Sequence, residues 1–107
     1  MDITHYTYRV TWSPEDGQYV GLCAELPSLS WLADGPGAAL QGIMQVTADC
    51  VQDLRATGEP VPAPLADRTY TGKFMVRVPP SIHRKLALEA AEKGISMNRL
   101  ASAKLAL

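Results

Sequence analysis

Residues 6–12, YTYRVTW, alternate along the chain: Tyr6, Tyr8, Val10 and Trp12 point one way, Thr7, Arg9 and Thr11 the other. That period predicts a half-buried strand. Ser13-Pro14-Glu15-Asp16-Gly17 is turn chemistry, with Asp-Gly its strongest part. Tyr19 to Ala24 reads as a second strand, so the two form a hairpin. Pro27 breaks the pattern, and Leu29 to Ala33 is expected as a third, shorter strand. Gly35-Pro36-Gly37 then opens a helix, because proline at the first helical position lacks only an N–H that would be unpaired there. Leu40, Ile43, Thr47, Val51 and Leu54 recur on one stripe at helical spacing. Gly58 is the expected stop. The front of the chain therefore reads β-β-β-α, one helix laid on a small antiparallel sheet.

A second pattern follows a proline-rich link, EPVPAP at 59–64, which is stiff and extended. Residues 65–72, LADRTYTG, either add a strand through Tyr70 or continue the linker. From Lys73 to Val78 the alternation returns. Phe74, Val76 and Val78 share one face, and Lys73, Met75 and Arg77 the other. Pro79-Pro80 ends that strand and starts a helix with Ile82, Leu86 and Ala90 stacked four residues apart. Gly94 caps it. Ser96 suits the N-cap of a second helix whose apolar stripe begins Met97, Leu100, Ala101. The free N–H groups of Ser96, Met97 and Asn98 make an anion site. The fold class is α+β. The expected domains are 1–64 and 73–107, with 65–72 as linker or edge strand.

Composition changes the picture only when the chain is divided. The whole chain carries a formal charge of −1. Residues 1–72 hold three basic residues against nine acids, net −6, and residues 73–107 hold seven against two, net +5. An acidic front and a basic back imply two different partners. About 35 residues bury too little to fold alone, so the basic segment is expected to dimerise. Paired with its two-fold mate, the 73–78 strand becomes a two-stranded ribbon, which fits the major groove of B-DNA. No apolar stretch approaches the roughly 18 residues of a membrane helix, and no export pattern opens the chain, so a cytoplasmic protein without a membrane partner is expected. Cys23 and Cys50 are the only cysteines and lack CxxC spacing, which signals neither a redox pair nor a zinc site.

The segment 73–107 resembles the ribbon–helix–helix family, the MetJ/Arc type of repressor. Phe74-Met75-Val76-Arg77-Val78-Pro79, Ile82-His83-x-x-Leu86 and Gly94-Ile95-Ser96-Met97-Asn98-Arg99-Leu100 carry the resemblance. It implies base reading by Lys73, Met75 and Arg77, and phosphate contacts from Ser96, Met97, Asn98 and Arg99. It implies a dimer core of Phe74, Val76, Val78, Ile82, Leu86 and Leu100. Met75 departs from the pattern, where a polar reader is usual; it can touch a thymine methyl but offers no bidentate hydrogen bond.

The front is similar to the HicB antitoxin family. The signs are Tyr8-x-Val10, Asp16-Gly17-Gln18-Tyr19-Val20, Glu25-Leu26-Pro27-Ser28-Leu29, Pro36-x-Ala38-Ala39-Leu40 and Gly58-Glu59-Pro60-Val61-Pro62-x-Pro64, taken in order. The resemblance implies a β-β-β-α-β unit, a partial RNase H-like layer. It also implies an antitoxin of a type II pair, which neutralises a basic, mRNA-cleaving HicA-like toxin and represses operator DNA as a homodimer or higher oligomer. Ala33 replaces a family glycine before Asp34. Trp31 is unusual, and packing under the helix is its expected role, with a partner-facing anchor as the sharper alternative. The competing reading is a stand-alone ribbon–helix–helix regulator whose front domain binds a ligand or only oligomerises.

Catalysis is not expected. A two-metal nuclease needs converging carboxylates, yet Asp16 lies in a turn, Asp49 and Asp53 lie on one helix, and strand 6–12 carries no acid. His5 and His83 have no nucleophile motif beside them, and Gly72-Lys73 lacks the upstream glycine of a phosphate loop. No cofactor or metal is implied.

Overall fold

A computed structural model describes residues 2–107. The chain divides into two compact units, the first reaching Tyr70 and the second spanning Thr71–Leu107.

The first unit opens on a 3-10 turn, Ile3–His5, followed by β1 (Tyr8–Ser13), β2 (Gln18–Cys23), β3 (Ser30–Ala33) and a long helix, α1 (Pro36–Ala56). The strands form one antiparallel sheet in the order β1-β2-β3. Gly17, at φ 63, supplies the left-handed residue of the β1–β2 turn, a conformation that glycine adopts without strain. Register puts Tyr8 opposite Cys23, Val10 opposite Gly21 and Trp12 opposite Tyr19, while on the other side of β2 Gly21 lies opposite Trp31 and Tyr19 opposite Ala33. This face carries α1. Arg9, Thr11, Val20, Leu22, Ser30 and Leu32 occupy the other face.

The helix comes very close to the sheet. A Cβ on Gly21 would lie 2.5 Å from the Ala39 carbonyl oxygen and 2.8 Å from Ile43 Cγ2. Only glycine on the strand and a small residue on the helix allow that approach. Ala39, Ile43, Thr47 and Val51 are the buried positions of α1. The stripe expected from the sequence began at Leu40 instead, and Leu40 is 39% exposed. Ile43, Thr47 and Val51 are buried as expected, and only at the first position does the close contact select alanine over leucine. Thr47 is fully buried, and its hydroxyl makes no hydrogen bond of ordinary geometry. Trp12 lies on the expected face but stays 51% exposed, because the covering elements leave it open. It rests edge-on against Tyr19, with ring centroids 5.1 Å apart.

The proline-rich segment is part of this unit. Tyr6 is buried, and its hydroxyl donates to the Pro62 carbonyl at 2.7 Å. Val61 packs on the core of Tyr6, Cys23, Ile43 and Val51, and Pro64 is buried. A second 3-10 turn, Leu65–Asp67, follows. Among the described residues no strand forms between α1 and Tyr70, so the closing β of the expected β-β-β-α-β unit is missing. Three prolines in five residues, 60 to 64, remove the N–H groups a ladder needs.

Glu25 ties this end together. Its carboxylate accepts from the Thr7 N–H at 2.8 Å, the Thr7 hydroxyl at 3.1 Å and the Leu65 N–H at 3.0 Å. His5 Nδ1 pairs with Asp67 at 2.9 Å, a second tie between the chain start and this turn. Hydrogen bonding to the Asp67 carboxylate raises the His5 pKa.

In the second unit, α2 (Pro80–Lys93) is joined to α3 (Met97–Leu105). Gly94 turns the chain at φ 66, and its N–H and that of Ile95 return to the carbonyl of Ala90. The fold as a whole is α+β, three antiparallel strands and three α-helices among the described residues.

Two outcomes are expected. Gly21→Ala forces α1 off the sheet and costs about 1–3 kcal/mol, read from urea unfolding. Partial burial pushes the Glu25 carboxyl up, but hydrogen bonds from the Leu65 and Thr7 N–H groups outweigh it and hold it below its ordinary value. A depressed folded pKa stabilises above the unfolded value of about 4.3 and is lost as pH falls through the folded value. The wild type therefore loses more stability than Glu25→Gln on acidification from about pH 5 to 3, measured by urea midpoints.

Candidate nucleic-acid interface

The strand expected from Lys73 to Val78 is not formed: the described residues supply no second strand for it to pair with. Among the described residues its backbone is held only by the Lys73 N–H to the Thr71 hydroxyl at 3.2 Å. Phe74 is 74% exposed and Val76 59%, which leaves large apolar side chains in water on every second residue. Val78 and Ile82 are also exposed, Leu86 is half-buried, and Leu100 is buried. Of the six residues expected in a dimer core, the chain alone thus covers only those where α2 meets α3.

Lys73, Met75 and Arg77 are all exposed. Among the described residues neither Lys73 nor Arg77 has an acidic partner, and the same holds for Arg84, Lys85 and Arg99. Lys93 and Lys104 differ. Both pair with Glu89, at 3.3 Å and 3.1 Å, and this double contact ties α2 to α3. The Lys104 and Lys93 ammonium groups hold the Glu89 carboxyl below its ordinary value. The sequence reading overlooked Glu89, although its spacing of four from Lys93 is a signal for such a pair.

Ser96 caps α3 as expected. Its hydroxyl accepts from the Arg99 N–H at 3.0 Å, and its carbonyl accepts from the Leu100 N–H at 3.0 Å. The N–H groups of Met97 and Asn98 keep no partner among the described residues. They point out of the helix start, where the dipole favours an anion. Arg99 stands on the same first turn.

The first unit offers the opposite charge. Asp16 holds the Ser13 hydroxyl at 2.8 Å, Asp34 the Gln18 amide at 3.0 Å, and Asp49 the Gln45 amide at 3.0 Å. Among the described residues no three of the His, Cys, Asp and Glu side chains are placed to hold a metal ion. Cys23 is buried and Cys50 half-buried, both as free thiols; burial raises the Cys23 pKa. No described helix is long and apolar enough to cross a membrane.

The HicB family model matches residues 58–105, the proline-rich segment and nearly all of the second unit. Over those residues the chain is similar to the HicB family. The match takes in Gly58 to Pro64, the last of the motifs read as HicB-like within 8–64, and otherwise falls on the tail, where the sequence resembled ribbon–helix–helix proteins over 73–107. No curated protein and no solved structure gives a significant match.

Replacing the cap tests the anion-facing turn. Ser96→Ala is expected to cost about 1 kcal/mol by freeing the Arg99 N–H, read as a lower thermal midpoint for the helical signal.

Proposed function

We propose that this chain is the antitoxin of a type II toxin–antitoxin pair, which neutralises a HicA-like mRNA-cleaving toxin and represses its own operator. The observation that carries the reading is the HicB family match over a segment whose apolar residues 74, 76 and 78 stand uncovered beside two helices. An amphipathic segment left unpaired among the described residues becomes a strand when a second copy pairs with it. The two copies then form a ribbon, apolar beneath and bearing Lys73, Met75 and Arg77 above. Arg77 and Lys73 suit guanine O6 and N7, and Met75 suits a thymine methyl. The free N–H groups of Met97 and Asn98, with Ser96 and Arg99 around them, take the flanking phosphates.

The acidic first unit serves the other partner. A net charge of −6 attracts a basic RNA-binding toxin and repels the nucleic acid held by the tail. The protein acts by binding, without catalysis, cofactor or metal, in the cytoplasm.

Co-expression decides the first half: growth arrested by a HicA-type toxin resumes when this chain is supplied, and continued arrest refutes the antitoxin reading. Fluorescence anisotropy on operator DNA decides the second. With about six phosphate contacts per dimer, log affinity falls with log salt at a slope of about −5. Arg77→Ala costs about 1–3 kcal/mol of binding and relaxes sequence choice. Phe74→Ala instead opens the shared core and costs about 3–5 kcal/mol of stability, seen as dissociation in sedimentation. Equal, small losses for both variants would show the two faces to be misassigned.

A further inference from the structure

The first unit carries a groove beside Trp31. Trp31 of β3 lies across α1 at Gly42, where any Cβ would overlap its ring. The indole nevertheless remains 44% exposed. It walls a shallow groove of about 650 Å³ along α1, lined also by Ala38, Gln41, Gln45 and Ala48. None of these side chains is charged, in a unit whose net charge is −6. Protein interfaces have such centres, depleted of charge and anchored by tryptophan.

The groove continues into acid. At about 100° per residue, Asp49 and Asp53 fall within about 20° of Gly42 around the helix, about 10 and 16 Å further along its axis. Both are exposed. Asp49 accepts from Gln45. Asp53 has no hydrogen bond or ion pair through its side chain among the described residues. Two carboxylates one turn apart repel each other, and a cation brought by a partner relieves that repulsion.

We propose that this groove is where the first unit docks a basic protein partner. An apolar side chain of the partner seats against Trp31 over Gly42, and Lys or Arg residues on the same segment meet Asp49 and Asp53. Nucleic acid is the wrong chemistry for this surface, since phosphate would face the two carboxylates. The proposal rests on the antitoxin reading and says which face of the unit performs it.

The test uses the full chain and, as probe, a HicA-type toxin whose catalytic histidine is replaced by alanine, with affinity read by calorimetry. Trp31→Ala should weaken binding by about 30-fold, the loss of one anchor residue. Because Trp31 also packs on α1, two variants on the exposed helix surface accompany it. Ala38→Arg fills the groove mouth, and the double variant Asp49→Lys with Asp53→Lys reverses the charge; each should weaken binding at least about tenfold with an unchanged circular dichroism spectrum. Glu15→Lys, a charge reversal in the β1–β2 turn, should change it less than about twofold. If the unaltered chain fails to bind the toxin, the antitoxin reading falls and this proposal with it. If the unaltered chain binds, and Ala38→Arg and the double variant bind as well as it does, only the docking face is wrong. Sedimentation of the chain alone adds a further check: self-association abolished by Ala38→Arg would make a second copy the occupant and overturn the proposal.

Discussion

The contact between Gly21 and the Ala39 turn of α1 constrains the whole first unit. With no Cβ on the strand, the helix backbone settles almost onto the sheet, and Ile43 is fully buried there. Burying a side chain of that size contributes about 1.5–3 kcal/mol. The same closeness has a cost at the sheet edge. Trp31 shares the helix-facing side with Gly21, but the gap there is too thin for an indole. It lies across Gly42 instead, half in water. The exposed tryptophan follows from the tight packing beside it.

The second unit faces the reverse problem. Its two helices bury Ala90 and Leu100, brace themselves through Glu89, and leave Phe74, Val76, Val78 and Ile82 uncovered. A segment of this length cannot offset its chain entropy with so small a core. Nothing in it is strained or polar enough to favour exposure of three alternate apolar side chains. Pairing two copies satisfies the edge hydrogen bonds and the apolar face in one step, which is why the dimer and the reading of DNA are one proposal and not two.

Much of the architecture was legible because it rests on local rules. The Asp16-Gly17 turn, Pro36 at the helix start, Gly94 at the end of α2 and Ser96 at the start of α3 each follow from a single residue's backbone preference or hydrogen-bonding side chain. What was not legible depends on distance through space. The choice of Ala39 over Leu40 is made by a glycine eighteen residues earlier. The docking of Val61 and Pro62 is made by Tyr6, at the far end of the unit. A period of four in sequence cannot report either. The Ser96 cap was readable, since a helix start needs only its own first residues. The groove at Trp31 was not, because it arises only once β3 and α1 are placed together.

The distribution of charge in the tail carries one more physical consequence. Helix starts favour acids, because the dipole leaves partial positive charge there. Neither α2 nor α3 has an acid in its first turn. Arg99 sits in the first turn of α3, and Arg84 and Lys85 follow in the second turn of α2. In isolation this arrangement opposes the dipole and gains nothing from it. Lys93 and Lys104, by contrast, stand near helix ends, where cations belong, and they have Glu89 as partner. The tail therefore neutralises the two lysines whose position is already favourable and leaves unpaired the cations whose position is not. An external polyanion at the helix starts would reverse that balance, and by linkage its binding would add to the tail's stability, since neutralising Arg84, Lys85 and Arg99 removes self-repulsion of the +5 unit.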